Sequence, residues 1–112
     1  VFLNGMGIEV LTADNNSQNI DQFTLFQNYP NPFNPSTQIN YFLPKQSNVK
    51  VVVFDLIGNK IKTLINMEQQ SGFKTVEWNA TNDIGKRVSA GIYFYDIQAG
   101  DFRKTRMMVL LK

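Results

Sequence analysis

Asn28-Tyr29-Pro30-Asn31-Pro32-Phe33-Asn34-Pro35 holds three of the four prolines in the chain. Each proline fixes its own φ and pushes the residue before it toward extended geometry. The stretch is therefore not a helix. Nor is it a central strand, because Pro30, Pro32 and Pro35 each lack a ladder donor. It reads as a stiff, nearly extended edge segment. Tyr29 and Phe33 are its two large apolar groups, and both are expected to pin it onto a core.

Outward from this stretch the chain changes character on either side. Upstream, Thr12 to Gln22 is polar, with Asp14-Asn15-Asn16-Ser17-Gln18-Asn19 at its centre, a composition that favours a linker. Residues 1–22 are expected to be a linker or the tail of a preceding domain. The short apolar run Ile8-Glu9-Val10-Leu11 is a strand either of that neighbour or of this domain. Downstream, residues 23–112 read as strands. Phe23 to Phe26 is a short extended lead-in. Thr37 to Leu43 alternates, with Ile39, Tyr41 and Leu43 on one face. Val49 to Asp55 is almost wholly β-branched or aromatic, and its near-continuous apolarity marks a central strand. Ile57-Gly58-Asn59-Lys60 is a hairpin turn, followed by a strand from Lys60 to Ile65 and a polar connection from Asn66 to Gly72. Phe73 to Trp78 alternates with Val76 and Trp78 inward. A turn around Gly85, a strand from Ile92 to Ile97, a turn at Ala99-Gly100-Asp101 and a last strand from Phe102 to Leu111 complete the chain. About seven short strands at regular spacing indicate an all-β antiparallel sandwich or barrel. A small sandwich with Trp78 as its buried anchor fits best.

Length and composition set the outer bounds. At 112 residues there is room for one domain. An apolar content of 43% suffices for one core. Cysteine and histidine are both absent, which removes disulfides, thiol catalysis, the commonest general base and the commonest metal ligand. The net charge of +2 is unevenly spread: residues 1–30 hold three acids and no base, and residues 31–112 hold eleven bases and six acids. Lys50, Lys60, Lys62 and Lys74 fall where strands face water, so solvation accounts for the basic balance better than nucleic acid does. No apolar run approaches the roughly 20 residues of a membrane helix, and no membrane insertion is expected. The chain starts without Met and without a basic, then apolar, leader. It reads as the C-terminal piece of a longer protein.

Catalytic constellations are lacking. Asn79-Ala80-Thr81-Asn82-Asp83-Ile84-Gly85 has the alternating oxygens of a calcium loop, but Asp83 is its only carboxylate. It reads better as a hairpin loop whose Asn and Asp bond to backbone. Asp55, Glu77, Asp83, Asp96 and Asp101 are the candidate acid/base carboxylates, with Glu77 and Asp96 at solvent-facing strand positions, and no pair is forced into one cleft. The serines have no histidine partner. No cofactor is expected. Tyr93-Phe94-Tyr95 is an aromatic run whose outward face offers a stacking platform for sugar rings, or cover for a sandwich edge.

Phe26-Gln27-Asn28-Tyr29-Pro30-Asn31-Pro32-Phe33-Asn34-Pro35-Ser36-Thr37 resembles the opening of the type A C-terminal sorting domain of the bacterial type IX secretion system. Later stretches agree in order. Val53-Phe54-Asp55-Leu56-Ile57-Gly58 resembles that family's Asp-to-Gly turn. Gly72 followed by Val76-Glu77-Trp78-Asn79 resembles its tryptophan strand, and Gly85 followed by Ala90-Gly91-Ile92-Tyr93-Phe94-Tyr95 its glycine-aromatic segment. Met108-Val109-Leu110-Leu111-Lys112 resembles its ending. Met107 departs from the pattern, standing where a basic residue is common.

The resemblance implies an immunoglobulin-like sandwich, similar to the C-terminal domain of the flagellar hook-capping protein. It implies a non-catalytic domain of a secreted bacterial protein, carried through the periplasm and outer membrane to the surface or the medium. The expected partners are the secretion proteins of the outer membrane and the upstream domain of the same chain. Recognition is expected at Gly91, Ile92 and Tyr93 and along the last strand, at Lys104, Met108, Val109, Leu110, Leu111 and Lys112. Tyr29, Pro30, Pro32, Phe33, Pro35, Gly58, Trp78 and Gly85 are expected to be structural. The alternative is a structural or carbohydrate-binding immunoglobulin-like module beside an enzyme, with Tyr93 and Tyr95 contacting the sugar.

Overall fold

Seven strands run in sequence through the computed structural model, which describes residues 21–112. They are β1 (Thr24–Leu25), β2 (Thr37–Leu43), β3 (Ser47–Asp55), β4 (Lys60–Gln69), β5 (Gly72–Trp78), β6 (Gly91–Ala99) and β7 (Phe102–Leu110). The expected tail and the Ile8 to Leu11 strand lie outside the described residues, apart from Asp21 and Gln22. Every strand pairing is antiparallel. One sheet has the order β1-β2-β5, the other β4-β3-β6-β7, and no helix occurs among the described residues. This is an immunoglobulin-like antiparallel sandwich.

Alternation within the strands builds the core. Ile39, Tyr41 and Leu43 of β2 point inward and are buried, as are Val49, Val51 and Val53 of β3. β3 is central, flanked by β4 and β6, which is why its outward Val52 is buried as well. Trp78 is fully buried at the end of β5, with Val76 half-buried on the same face. Its indole Nε1–H donates to the Thr81 carbonyl at 2.8 Å, so the polar end of the ring is satisfied inside the core.

β4 runs to Gln69, where the sequence suggested a polar connection from Asn66. Polar side chains suit a sheet edge because they face water. There they also find partners: Gln69 Oε1 accepts from the Tyr41 hydroxyl at 2.6 Å, and Glu68 Oε2 accepts from Gln46 Nε2 at 2.6 Å. A second difference concerns Asp96. It sits on the outer face of β6, yet it is buried. Thr105 Oγ1 donates to its Oδ1 at 2.9 Å, and Arg103 Nη2 lies 3.2 Å from its Oδ2. Cross-strand neighbours thus enclose a carboxylate that an isolated strand would leave in water.

Candidate functional site

The proline stretch does not run along one edge as a straight strand. It crosses from one sheet to the other at one end of the sandwich. Tyr29 bridges Gln38 of β2, and Phe33 makes a parallel bridge to Leu110 of β7. The peptide bonds before Pro30, Pro32 and Pro35 are cis. Of the two rings expected to pin the stretch, only Phe33 does so. It is buried against Trp78, with ring centroids 5.8 Å apart, and Trp78 meets Tyr93 edge-on at 5.2 Å. Tyr29 is 76% exposed. The crossing turns its ring away from the core, so its expected role as a pin is corrected.

The crossing segment closes the outer edge of β7. Phe33 N–H donates to the Val109 carbonyl at 3.0 Å, and Leu111 N–H donates to the Phe33 carbonyl at 2.8 Å. Val109 N–H donates to Asn31 Oδ1 at 3.0 Å, and Gln27 Nε2 donates to the Met107 carbonyl at 2.8 Å. Two side-chain amides thus act as pieces of a missing strand. Beneath them lies a buried polar hub. Asn28 N–H donates to the Tyr95 hydroxyl at 2.8 Å, and that hydroxyl donates to the Phe26 carbonyl at 2.8 Å. Asn28 Nδ2 reaches Thr37 Oγ1 at 2.9 Å, and Thr37 Oγ1 donates to the Pro30 carbonyl at 2.8 Å. Burial pushes the Tyr95 hydroxyl up to about 12.

The glycine-aromatic segment and the chain's ending meet in this same region. Gly91 pairs with Leu110, Ile92 with Val109 and Tyr93 with Met108. Lys104 stands apart, opposite Ile97 toward the far end of β7. Tyr93, Met108 and Leu110 are buried and belong to the core, Val109 is half-buried, and Ile92, Leu111 and Lys112 are exposed. The Tyr93 hydroxyl donates to the Ser89 carbonyl at 2.6 Å.

Two turns flank this end. Asp55 Oδ1 accepts from Asn59 N–H at 2.8 Å and Ile57 N–H at 3.1 Å, and its Oδ2 accepts from Asn59 Nδ2 at 3.1 Å. The Asn59 N–H and these other donors hold its carboxyl below the usual aspartate value. Gly58 has φ of +93°, a conformation other residues resist. The spacing of Asp55 and Gly58 is the chemistry of one tight turn, and it leaves Leu56 and Ile57 out in solvent. In the other loop, Asn82 Oδ1 accepts from Ile84 N–H at 3.1 Å and Lys86 N–H at 2.9 Å. Asp83 Oδ1 accepts from Thr63 N–H at 3.0 Å. These oxygens bond to backbone, the reading preferred over a calcium loop, and Gly85 closes the turn by donating to the Asn82 carbonyl at 2.9 Å.

The aromatic run differs from its expected platform. Tyr93 and Tyr95 both face inward and are buried, and only Phe94 faces outward, half-buried. Neither tyrosine is available to stack on a sugar. Gln27, Asn31 and Asn28, which organise the crossing, were not singled out in the sequence. An Asn or Gln beside proline reads as turn chemistry until its distant backbone partner is known.

Comparison with known proteins agrees with this geometry. A family model described as the secretion system C-terminal sorting domain matches residues 27–111. Among solved structures, the chain is similar to dimeric latent PorU from Porphyromonas gingivalis, with TM-score 0.64 and 17% identity over 83% of this chain and 10% of that one. It is also similar to PorZ, a surface component of the type-IX secretion system of Porphyromonas gingivalis, with TM-score 0.54 and 20% identity over 86% of this chain and 12% of that one. At those identities the likeness is one of fold, and the chain spans about a tenth of each solved protein. No curated protein matches the chain. With the matched residues running from Gln27 to Leu111, through the crossing, both turns and β7, the chain belongs to the secretion system C-terminal sorting domain family.

Proposed function

We propose that residues 23–112 form the non-catalytic sorting signal by which a longer bacterial protein is handed to the type IX machinery of the outer membrane. Passage runs through the periplasm to the surface or the medium. Membership of the sorting-domain family carries this reading. The fold likeness to PorU and PorZ, the second a surface component of the type-IX secretion system, supports it. The glycine-aromatic segment and the ending are register partners, which supports one recognition region made of Gly91, Ile92, Val109, Leu111 and Lys112. The buried Tyr93, Met108 and Leu110 act by holding that region in shape, and Lys104 contributes separately along β7.

The test removes residues 23–112 from the parent protein in its own cell. Retention in the periplasm is the expected result. Normal surface delivery of the shortened protein overturns the reading.

A further inference from the structure

The strand register places an unusual panel on the outside of the four-stranded sheet. Phe54, Phe94 and Met107 lie side by side across β3, β6 and β7, and Ile92 and Val109 form the next row. Neighbours on one face of a pair stand about 4.5–5.5 Å apart, so these five side chains are contiguous. Leu56 and Ile57 extend the panel from the Asp55 turn, lining a shallow concavity with Ile92. Exposure is 83% at Ile57, 62% at Leu56, 50% at Met107 and 38% at Ile92. Beyond the panel the face turns basic. Lys50, Gln98 and Arg103 form a cross-strand row, and Lys60 flanks Phe54. The carboxylate of that row's neighbour, Asp96, is buried and already taken by Arg103 and Thr105.

We infer that this panel is where the domain docks, and that its occupant is a protein surface of the outer-membrane export machinery, apolar at its centre with carboxylates opposite Lys50 and Lys60. The inference rests on the sorting-signal reading above. Strand addition is closed at this end of β7, because Gln27, Asn31 and Phe33 already hold its edge. A partner approaching this end of β7 therefore uses the face rather than the edge. An exposed apolar cluster of this kind marks an interaction site, and the lysines beside it select an acidic rim. A second copy fits poorly. A two-fold contact sets the same patch against itself, bringing Lys50 and Lys60 of both copies together, while the exposed carboxylate of this face, Glu68, lies opposite Asn48, beyond Lys50 from the panel, and is held by Gln46.

The experiment places Ile92→Glu with Met107→Glu in the full parent protein, beside Phe73→Glu on the outer face of the other sheet and a deletion of residues 23–112. Thermal melts of the purified chain confirm that each substituted form folds. Surface delivery is expected to fall about tenfold or more for the panel variant, the size of effect two lost central contacts produce, and to stay normal for Phe73→Glu. Normal delivery of a folded panel variant, with the deletion retained in the periplasm, overturns the panel while leaving the sorting reading intact. Normal delivery of the deletion overturns the sorting reading itself. A benzophenone side chain in place of Met107 then identifies the occupant. Crosslinking to an outer-membrane export protein, reduced by Lys50→Glu with Lys60→Glu, supports the assignment. Crosslinking to lipid or to a second copy overturns it.

Discussion

Tyr95 ties β6 to the entry of the crossing segment through one oxygen: it accepts from Asn28 N–H and donates to the Phe26 carbonyl from a fully buried position on β6. Its folded pKa of about 12 lies above the unfolded value near 10. The folded state therefore holds the proton more tightly, and this contribution is complete below pH 10 and lost as pH rises toward 12. Over that window the wild-type protein should lose roughly 2–3 kcal/mol more than Tyr95→Phe does in paired urea melts. Equal slopes for the two proteins would show that the hydroxyl titrates freely. At neutral pH the Phe variant should cost about 1–3 kcal/mol, because Asn28 N–H and the Phe26 carbonyl lose their buried partner. Tyr29 and Phe33 give a second contrast at this scale. Phe33→Ala should cost roughly 3–5 kcal/mol, as should Trp78→Ala against which it packs. Tyr29→Ala should change stability by less than about 0.5 kcal/mol. Denaturant melts with Trp78 fluorescence for the first and third variants would decide it. Nothing in the residues themselves separates these rings, since both are large, apolar and set beside proline. Only the turn of the backbone between the two sheets sends one inward and the other out.

At the scale of elements, β3 was legible because a nearly unbroken β-branched run has few other uses, and β2 because its alternation is clean over seven residues. The end of β4 is not legible, because Asn66, Glu68 and Gln69 look like loop residues; pairing with Ser47 to Lys50 overrides that composition. Asp96 misled for a related reason, as its cover comes from Arg103 and Thr105 on another strand. The prolines of the crossing segment mark it as rigid and peripheral. Its edge-capping role was hidden because the partners of Gln27 and Asn31 lie about eighty residues away. That role makes a prediction of its own. Asn31→Ala should leave Val109 N–H without its acceptor, raising its hydrogen-exchange rate while the Leu110 amide, on the β6 side, keeps its protection. The stability cost should be about 0.5–1.5 kcal/mol, the worth of one hydrogen bond at a partly open edge. Unchanged exchange at Val109 would mean that water or a neighbouring group closes the edge equally well. Aggregation of Asn31→Ala with Gln27→Ala at high concentration would show that the two amides also block edge-to-edge pairing.

For the whole molecule, the ending is both an exposed surface and part of the core, and this decides how a truncation must be read. Removing Met108 to Lys112 takes away two buried side chains, Met108 and Leu110, together with both backbone bonds that join Phe33 to Val109 and Leu111. Each buried side chain is worth roughly 2–5 kcal/mol. A domain of this size has about 5–15 kcal/mol in total. The truncated chain should therefore be largely unfolded at 37 °C, with lost near-UV circular dichroism and an amide spectrum collapsed toward random-coil shifts. Its failure to be exported would then report lost folding as much as lost recognition. Deleting Lys112 alone, which is exposed, keeps every core contact and the Leu111 hydrogen bond. That variant should melt within about 2 °C of the intact chain, since exposed positions contribute little. If Met108 to Lys112 can be removed with the melting temperature held, the Phe33 crossing does not depend on β7, and the sandwich closes at this end by the Trp78 cluster alone.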